Sequence, residues 1–173
     1  MTERMEEKSD LIEKVIKVNR VAKVVKGGRR FSFSAIVVVG DGRAKVGVGL
    51  GKANEVTEAI RKGVDQAKRR MRFLVSEGRT IPHPVLGHFG ASKVVMKPGM
   101  PGSGIIAAAP VRAVMECGGI QDISVKSMGS TNPHNLIKAA MNGLNQLVSF
   151  EDVAARRGVP VEKLRAASHG VKG

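Results

Sequence analysis

The sequence predicts an α+β chain of two small domains, a β-β-β-α unit followed by a second α+β unit. Three observations carry this reading. Strand-type apolar stretches fill residues 11–50 and are broken twice by glycine-containing turns. Apolar residues at helical spacing follow from Val56 to Met71. After Ser76-Glu77-Gly78, shorter strand-type and helix-type stretches alternate to about residue 150. The expected divisions are a flexible tail at 1–10, domains at 11–76 and 77–150, and a C-terminal helical extension and tail at 151–173.

Residues 11–26 carry Leu11, Ile12, Val15, Ile16, Val18, Val21, Val24 and Val25, a long strand with room for a bend. Gly27-Gly28 reads as its turn. RFSFSAIVVV, residues 30–39, alternates and then becomes continuously apolar, as a strand entering a core would. Gly40-Asp41-Gly42 is a second turn, and residues 44–50 form a third strand whose glycines let another element pack close. Asn54 is the expected helix N-cap, with Glu55 and Glu58 in the first turn. Val56, Ile60, Val64, Ala67 and Met71 form the expected buried stripe.

In the second half, residues 80–88 and 91–97 read as a hairpin and 98–104 as a turn-rich loop. Ile105 to Ala109 reads as a short strand. Pro110 opens a helix that Gly118-Gly119 ends. Ile123 to Met128 is a further strand. Asn132-Pro133 starts a helix with Leu136, Ile137, Ala140, Met141, Leu144 and Val148 as its apolar face. Residues 153–157 and 161–166 are short helical pieces, and 168–173 a loose tail.

Charge is the dominant compositional signal. Lys and Arg total 29 against 15 acids, a net charge of +14, which favours phosphate backbones or anionic lipid. Lipid is the weaker reading, because no basic amphipathic helix presents Trp or Phe on its apolar side. No apolar run approaches the roughly 20 residues of a membrane span. The polar, acidic start is unlike a signal peptide, so the expected compartment is the cytoplasm. The aromatics are five Phe, with no Trp or Tyr, which argues against a base-stacking platform. The expected mode is electrostatic and shape-based contact with folded RNA.

Enzymatic motifs are thin. Gly51-Lys52 is followed by Ala53, so the magnesium hydroxyl of a phosphate loop is missing, and Val46 stands where that loop needs its first glycine. Gly102, Gly104 and Ala107 fit a dinucleotide fingerprint with Asp122 beyond it, but Pro110 delays the helix and no repeated βαβ units surround it. His83 and His88 lack a nearby acid, His134 lies at a helix start and His169 in the tail. Cys117 reads as a small core residue, and one cysteine permits no internal disulfide. No metal or cofactor is expected.

The strongest constellation lies between Lys14 and Arg30, seven basic residues without an acid. Within it, Arg20, Lys23, Lys26, Gly27, Gly28, Arg29 and Arg30 combine long cations with backbone that can approach phosphates closely. Lysines on an edge could merely block aggregation; the arginines around a glycine turn favour RNA. Arg61, Lys62, Lys68, Arg69, Arg70 and Arg72 crowd the helix after Asn54. Glu55, Glu58 and Asp65 dilute them, so that helix reads equally as scaffold or contact.

Residues 18–52, VNRVAKVVKGGRRFSFSAIVVVGDGRAKVGVGLGK, resemble the signature of the bacterial small-subunit ribosomal protein S-five family. The AxEVxxAI of Ala53 to Ile60 fits as well. GIIAAAPVRAVMECGGIQDI (104–123) and KSMGSTNPHNL (126–136) resemble the family's other blocks, and the likeness is collinear from Leu11 to Leu164. Thr57 departs from it where the family has proline. The resemblance implies a first domain similar to the double-stranded-RNA-binding fold, without its leading helix, and a second with a left-handed βαβ crossover, against the usual right hand. It implies a structural role in the small subunit: binding small-subunit ribosomal RNA near the decoding region and messenger entry path, and supporting assembly and accuracy. The hairpin from Val18 to Phe33 is implied to enter RNA near the spectinomycin site. Lys52 and Lys126, with Ser130, Thr131, Asn132 and His134, are further implied RNA contacts. Gly102, Gly104 and Arg112 are implied at a boundary with ribosomal protein S-four, and Arg156 and Arg157 at one with S-eight. No homo-oligomer is expected. A free RNA chaperone using the same hairpin is the alternative.

Overall fold

The computed structural model describes residues 11–169, with side chains through residue 166. The expected tails at 1–10 and 170–173 lie outside the described residues. The first sheet is built from β1 (Ile12–Val25), β2 (Gly28–Gly40), β3 (Lys45–Ala53) and the two-residue β4 (Arg72–Phe73), in that order. All its pairings are antiparallel, with a bulge between Val15 and Lys17 that bends β1. Helix α1 (Val56–Arg69) crosses one face. It docks tightly because β3 has no side chains in the way. A Cβ on Gly47, Gly49 or Gly51 would stand 1.8 to 2.1 Å from carbonyl oxygens of Ala67, Gly63 and Ala59.

The second sheet has the order β5-β6-β8-β7, from β5 (Val85–Phe89), β6 (Ser92–Pro98), β7 (Ile105–Ile106) and β8 (Ile123–Gly129). The crossover helix α2 (Ala109–Cys117) joins β7 to its parallel neighbour β8. Helix α3 (Pro133–Leu144) packs on β5 and β6, its backbone so close that a Cβ on Gly87 would meet the Ala139 carbonyl at 2.0 Å. Two short helices, α4 (Phe150–Arg157) and α5 (Val161–His169), complete the chain.

The core explains why β2 changes character along its length. Residues 35–40 are all buried because both faces are covered. Val37 and Val39 pack with Ala59, Val64 and Ala67 of α1. Ile36 and Val38 join Val111, Val114 and Met115 of α2 in a cluster that continues through Ile123, Ile137 and Leu144. One apolar core thus runs across residues 76–78, where a tight turn with Gly78 at φ +60° separates buried Leu74 from buried Ile81. Glycines again permit the approach: a Cβ on Gly40 would lie 2.0 Å from the Cys117 carbonyl.

Several boundaries differ from the sequence reading. The first turn is Lys26-Gly27, with Gly28 already paired to Val25. Glu55, not Asn54, occupies the α1 N-cap, without a side-chain cap bond, because β3 runs on to Ala53. The buried stripe of α1 is Ala59, Gly63, Val64 and Ala67; Val56 is exposed, since the glycine-lined strand meets the small residues of the helix. The second hairpin starts at Val85, not 80, because Glu77 and Thr80 close a local turn and Pro82 and Pro84 interrupt pairing. The strand after residue 104 is Ile105–Ile106, and Ala109 is already helical. Val148 lies beyond the end of α3, and Ser168 and His169 belong to α5 rather than to a loose tail.

Candidate nucleic-acid interface

The structure gathers Arg20, Lys23, Lys26, Gly27, Gly28, Arg29 and Arg30 at the free end of the β1–β2 hairpin. Residues 20–31 are all exposed. From buried Ala35 to the turn, the ribbon extends roughly 23 Å at about 3.3 Å per residue. Lys14, Lys17, Arg20, Lys23, Lys26 and Arg29 recur every third residue, whereas a strand alternates every second. Beyond the bulge at the base of β1, the cations Lys17, Arg20 and Lys23 therefore fall on alternate faces. Lys17, Lys23 and its direct partner Arg30 occupy one face; Arg20 and Arg29 occupy the other.

Lys23 directly opposite Arg30 is a like-charge pair that a hairpin in water would avoid. The guanidinium of Arg20 lies 3.7 Å from the ring centroid of Phe31, so the arginine is held rather than trailing free. Gly27 has φ +95° and Gly28 φ +152°, and a Cβ at either would meet open space, so the turn is open to an approaching surface. Among the described residues, no ion pair involves the hairpin cations from Arg20 to Arg30. Lys14 is different: its ammonium pairs with Glu116 of α2 and fastens the hairpin base to the second unit.

The remaining predicted residues are not brought to this end. Lys52 is exposed on β3 opposite Ser34, beside the hairpin base. Lys126 lies on β8 in the second sheet. Ser130, Thr131, Asn132 and His134 form the entry to α3. There the Asn132 side chain accepts the His134 amide at 3.1 Å, and Ser130 Oγ accepts the Asn132 amide at 3.3 Å. Burial, then the neighbouring Lys138, holds the His134 imidazole below its usual range, so at neutral pH it is an uncharged group.

Gly102 and Gly104 shape the loop before β7 with φ +85° and +70°. The Gly104 amide donates 2.9 Å to the buried carboxylate of Asp122, whose other oxygen faces Arg79 at 3.1 Å. Asp122 is thus a loop clamp. The glycines lie between β6 and β7 and lead into a strand instead of a helix, which removes the dinucleotide reading. Arg112 donates to the Ile105 carbonyl and lines a shallow groove with Arg79, Glu116 and Gln121. Arg156 and Arg157 lie exposed in the last turn of α4, where Gly158 at φ +63° ends the helix.

The His83 imidazole acts locally too. Its Nε2 accepts the Val148 amide at 3.1 Å, tying the approach to β5 to the segment between α3 and α4. Cys117 is buried, and burial pushes its thiol up to about 11. Among the described residues there is no group of three or more potential metal ligands, and no helix is long and apolar enough to cross a membrane. Sequence reasoning missed the cation–aromatic pairs: Lys45 over Phe73 and Lys138 over Phe89, besides Arg20 over Phe31. They sit on three separate pairs of elements, β1–β2, β3–β4 and β5–α3, and form no common platform. The three-residue spacing of cations was the available signal for a ribbon basic on both faces.

This geometry defines a basic protein with an exposed, positively charged ribbon on a body of two sheets sharing one core. Residues 11–74 match the family model described as "Ribosomal protein S5, N-terminal domain", and residues 87–157 that described as "Ribosomal protein S5, C-terminal domain". A Syntrophobacter fumaroxidans protein named "Small ribosomal subunit protein uS5" is 59% identical over 155 residues, 90% of this chain and 93% of that protein. Proteins of the same name from Granulibacter bethesdensis and Paramagnetospirillum magneticum are 53% and 52% identical, covering 98% and 94% of this chain and 90% and 78% of their own lengths. The chain belongs to the ribosomal protein S5 family. Members of that family are structural proteins of the small ribosomal subunit, in the bacterial cytoplasm, and not enzymes.

Proposed function

We propose that this protein is a structural RNA-binding component of the small ribosomal subunit, and that its β1–β2 hairpin enters folded ribosomal RNA near the decoding region and messenger entry path. The observation that carries the reading is the like-charged, fully exposed ribbon at residues 20–31, with cations on both faces. A ribbon laid on a surface needs charge on one face; one inserted between RNA segments needs it on both. In this reading the hairpin supports subunit assembly and translational accuracy. The loop with Gly102 and Gly104, together with Arg112, meets ribosomal protein S-four, and α4 with Arg156 and Arg157 meets S-eight. Lys52 and the α3 entry with Ser130, Thr131, Asn132 and His134 add secondary RNA contacts. The first unit takes the double-stranded-RNA-binding-like form without a leading helix, and β7–α2–β8 is the left-handed crossover. Sedimentation of small subunits through high salt tests the function. The protein should stay with the particle; complete stripping would favour a free RNA chaperone instead.

A further inference from the structure

The outer face of the second sheet is a surface that the hairpin reading leaves unexplained. Helices α2 and α3 cover its inner side, where Val94, Met96, Ile123 and Val125 are buried. The alternate residues of β5, β6 and β8 point away from them and are mostly exposed. The strand register places His88, Lys93 and Met128 in one row, Leu86, Val95 and Lys126 in the next, and Lys97, Ser124 and Ile106 in the third. No Asp or Glu occurs in any of the four strands.

We infer that this face is a second RNA-binding surface, seated on the sugar–phosphate backbone of an RNA helix through Lys93, Lys97 and Lys126. This rests on the RNA-binding reading above but uses a different surface from the hairpin.

Three alternatives fit less well. Lysines that block edge-to-edge aggregation belong on edge strands. Here all three lie on β6 and β8, the two central strands of the order β5-β6-β8-β7. A solvated face normally mixes both signs, and this one has a single sign, with Leu86 50%, Ile106 59% and Met128 44% exposed among the cations. A protein partner is disfavoured because lysine is depleted at protein interfaces. Among the described residues, none of the three lysines has an ion pair.

The geometry suits an RNA helix. Lys93 and Lys97 are four residues apart on β6, about 13 Å in a strand. Lys126 is paired with Val95, midway between them on the neighbouring strand, about 8 Å from each by the spacings of a sheet. The three cations therefore zigzag along one line. The one ring among these three rows is the His88 imidazole, too little for a base-stacking platform. Apolar side chains level with the lysine stems suit the wide, shallow minor groove of A-form RNA and its sugars.

The test is a set of full-length variants titrated with a small-subunit ribosomal RNA transcript over a salt series. The variants are Lys93→Gln/Lys97→Gln/Lys126→Gln, the same positions changed to Arg, and the hairpin pair Arg29→Gln/Arg30→Gln. Circular dichroism melts first establish that each folds. The Gln triple should shallow the log–log salt slope by about 2 to 3, at about 0.7 to 0.9 per lost phosphate contact. Its effect should add to that of the hairpin pair, and the Arg triple should retain wild-type binding. A Gln triple that binds like wild type while the hairpin pair is weakened overturns this inference and leaves the hairpin reading standing. Wild-type binding by both the Gln triple and the hairpin pair would overturn the RNA-binding reading itself.

Discussion

Replacing Arg29 and Arg30 by Gln should weaken RNA binding while leaving the free protein as stable as before, or slightly more so. The two arginines follow the exposed turn, on opposite faces of the ribbon, and make no ion pair within the described residues. Each charge-assisted contact to phosphate lost costs about 1.5–3 kcal/mol, at least tenfold in affinity. If both arginines engage phosphate, the salt slope should shallow by about 1.4 to 1.8. Against this, removing Arg30 relieves its direct opposition to Lys23. Cross-strand charge pairs are worth about 0.2–1 kcal/mol, and full exposure puts the relief near the low end. The matched control is Arg156→Gln with Arg157→Gln, which removes the same formal charge. Those arginines occupy the last turn of α4, where cations face the negative end of the helix dipole. Their loss should cost about 0.3–1 kcal/mol of stability and little RNA affinity. The two doubles thus move binding and stability in opposite patterns. RNA titration at one fixed salt and urea unfolding of the free protein measure both. Equal losses of RNA affinity would reduce the hairpin to part of a diffuse basic surface and refute the assignment.

Three further outcomes follow from the geometry. Gly28→Asp puts a side chain at φ +152° and a negative charge at the turn, so RNA affinity should fall while the global melting midpoint moves little, because strain of about 1–2 kcal/mol can be released by fraying the exposed end; outright unfolding would make the turn part of the fold. Gly49→Ala drives a Cβ to within 1.9 Å of the Gly63 carbonyl and should cost about 1–3 kcal/mol or more by overpacking; a loss below about 0.5 kcal/mol in urea would contradict the close α1–β3 contact. The Gly104 amide bond, with help from Gly102 and Arg79 and against desolvation, holds the Asp122 carboxyl below its usual range. A carboxylate depressed in the folded state stabilises at pH above its unfolded value and loses that contribution as pH falls through the folded one. Stability in that acid window should therefore fall less steeply in Asp122→Asn than in the wild type, and hydrogen exchange at Gly104 should accelerate in Asp122→Ala but much less in Asp122→Asn.

The sequence made the order of elements readable because its periodicities are local. The shift in RFSFSAIVVV from alternation to a continuous run marks where β2 passes from solvent to a site covered on both faces. Asn132-Pro133 was legible as a helix start because the cap is made within three residues. What failed depends on distant partners. Asn54 has good capping chemistry, but β3 keeps pairing as far as Ala53 opposite Phe33, and the helix starts later. The buried stripe of α1 shifted from Val56 and Met71 to Ala59 and Gly63 because the opposing strand is glycine, a fact about packing and not about α1. The division at residues 76–78 hides a continuous core, since nothing near Gly40 announces that the Cys117 carbonyl will sit against it. Within the candidate site, the hairpin was legible from its exclusion of acids. Lys93 and Lys97 were not, because two lysines in a short strand mean little until the register sets Lys126 between them.

The fold itself explains why the hairpin can carry so unfavourable a charge pattern. An isolated two-stranded ribbon is marginal in water, and this one opposes Lys23 to Arg30 and leaves Val24 76% exposed. Its stability has to come from the base. There β2 is central, paired on both sides to β1 and β3, and buried between α1 and α2. Lys14 with Glu116 and Lys68 with Glu13 pin β1 to the two helices. The core thus anchors the strands, and the outer part is left free to be optimised for a polyanion at the expense of its own stability. Ordering of residues 20–31 should accordingly tighten when RNA is bound, while residues 35–40 stay protected throughout. Amide exchange with and without RNA separates these segments. Exchange at residues 20–31 that is as slow in the free protein as in the complex would mean that the ribbon is rigid by itself, and the charge opposition would then need another explanation.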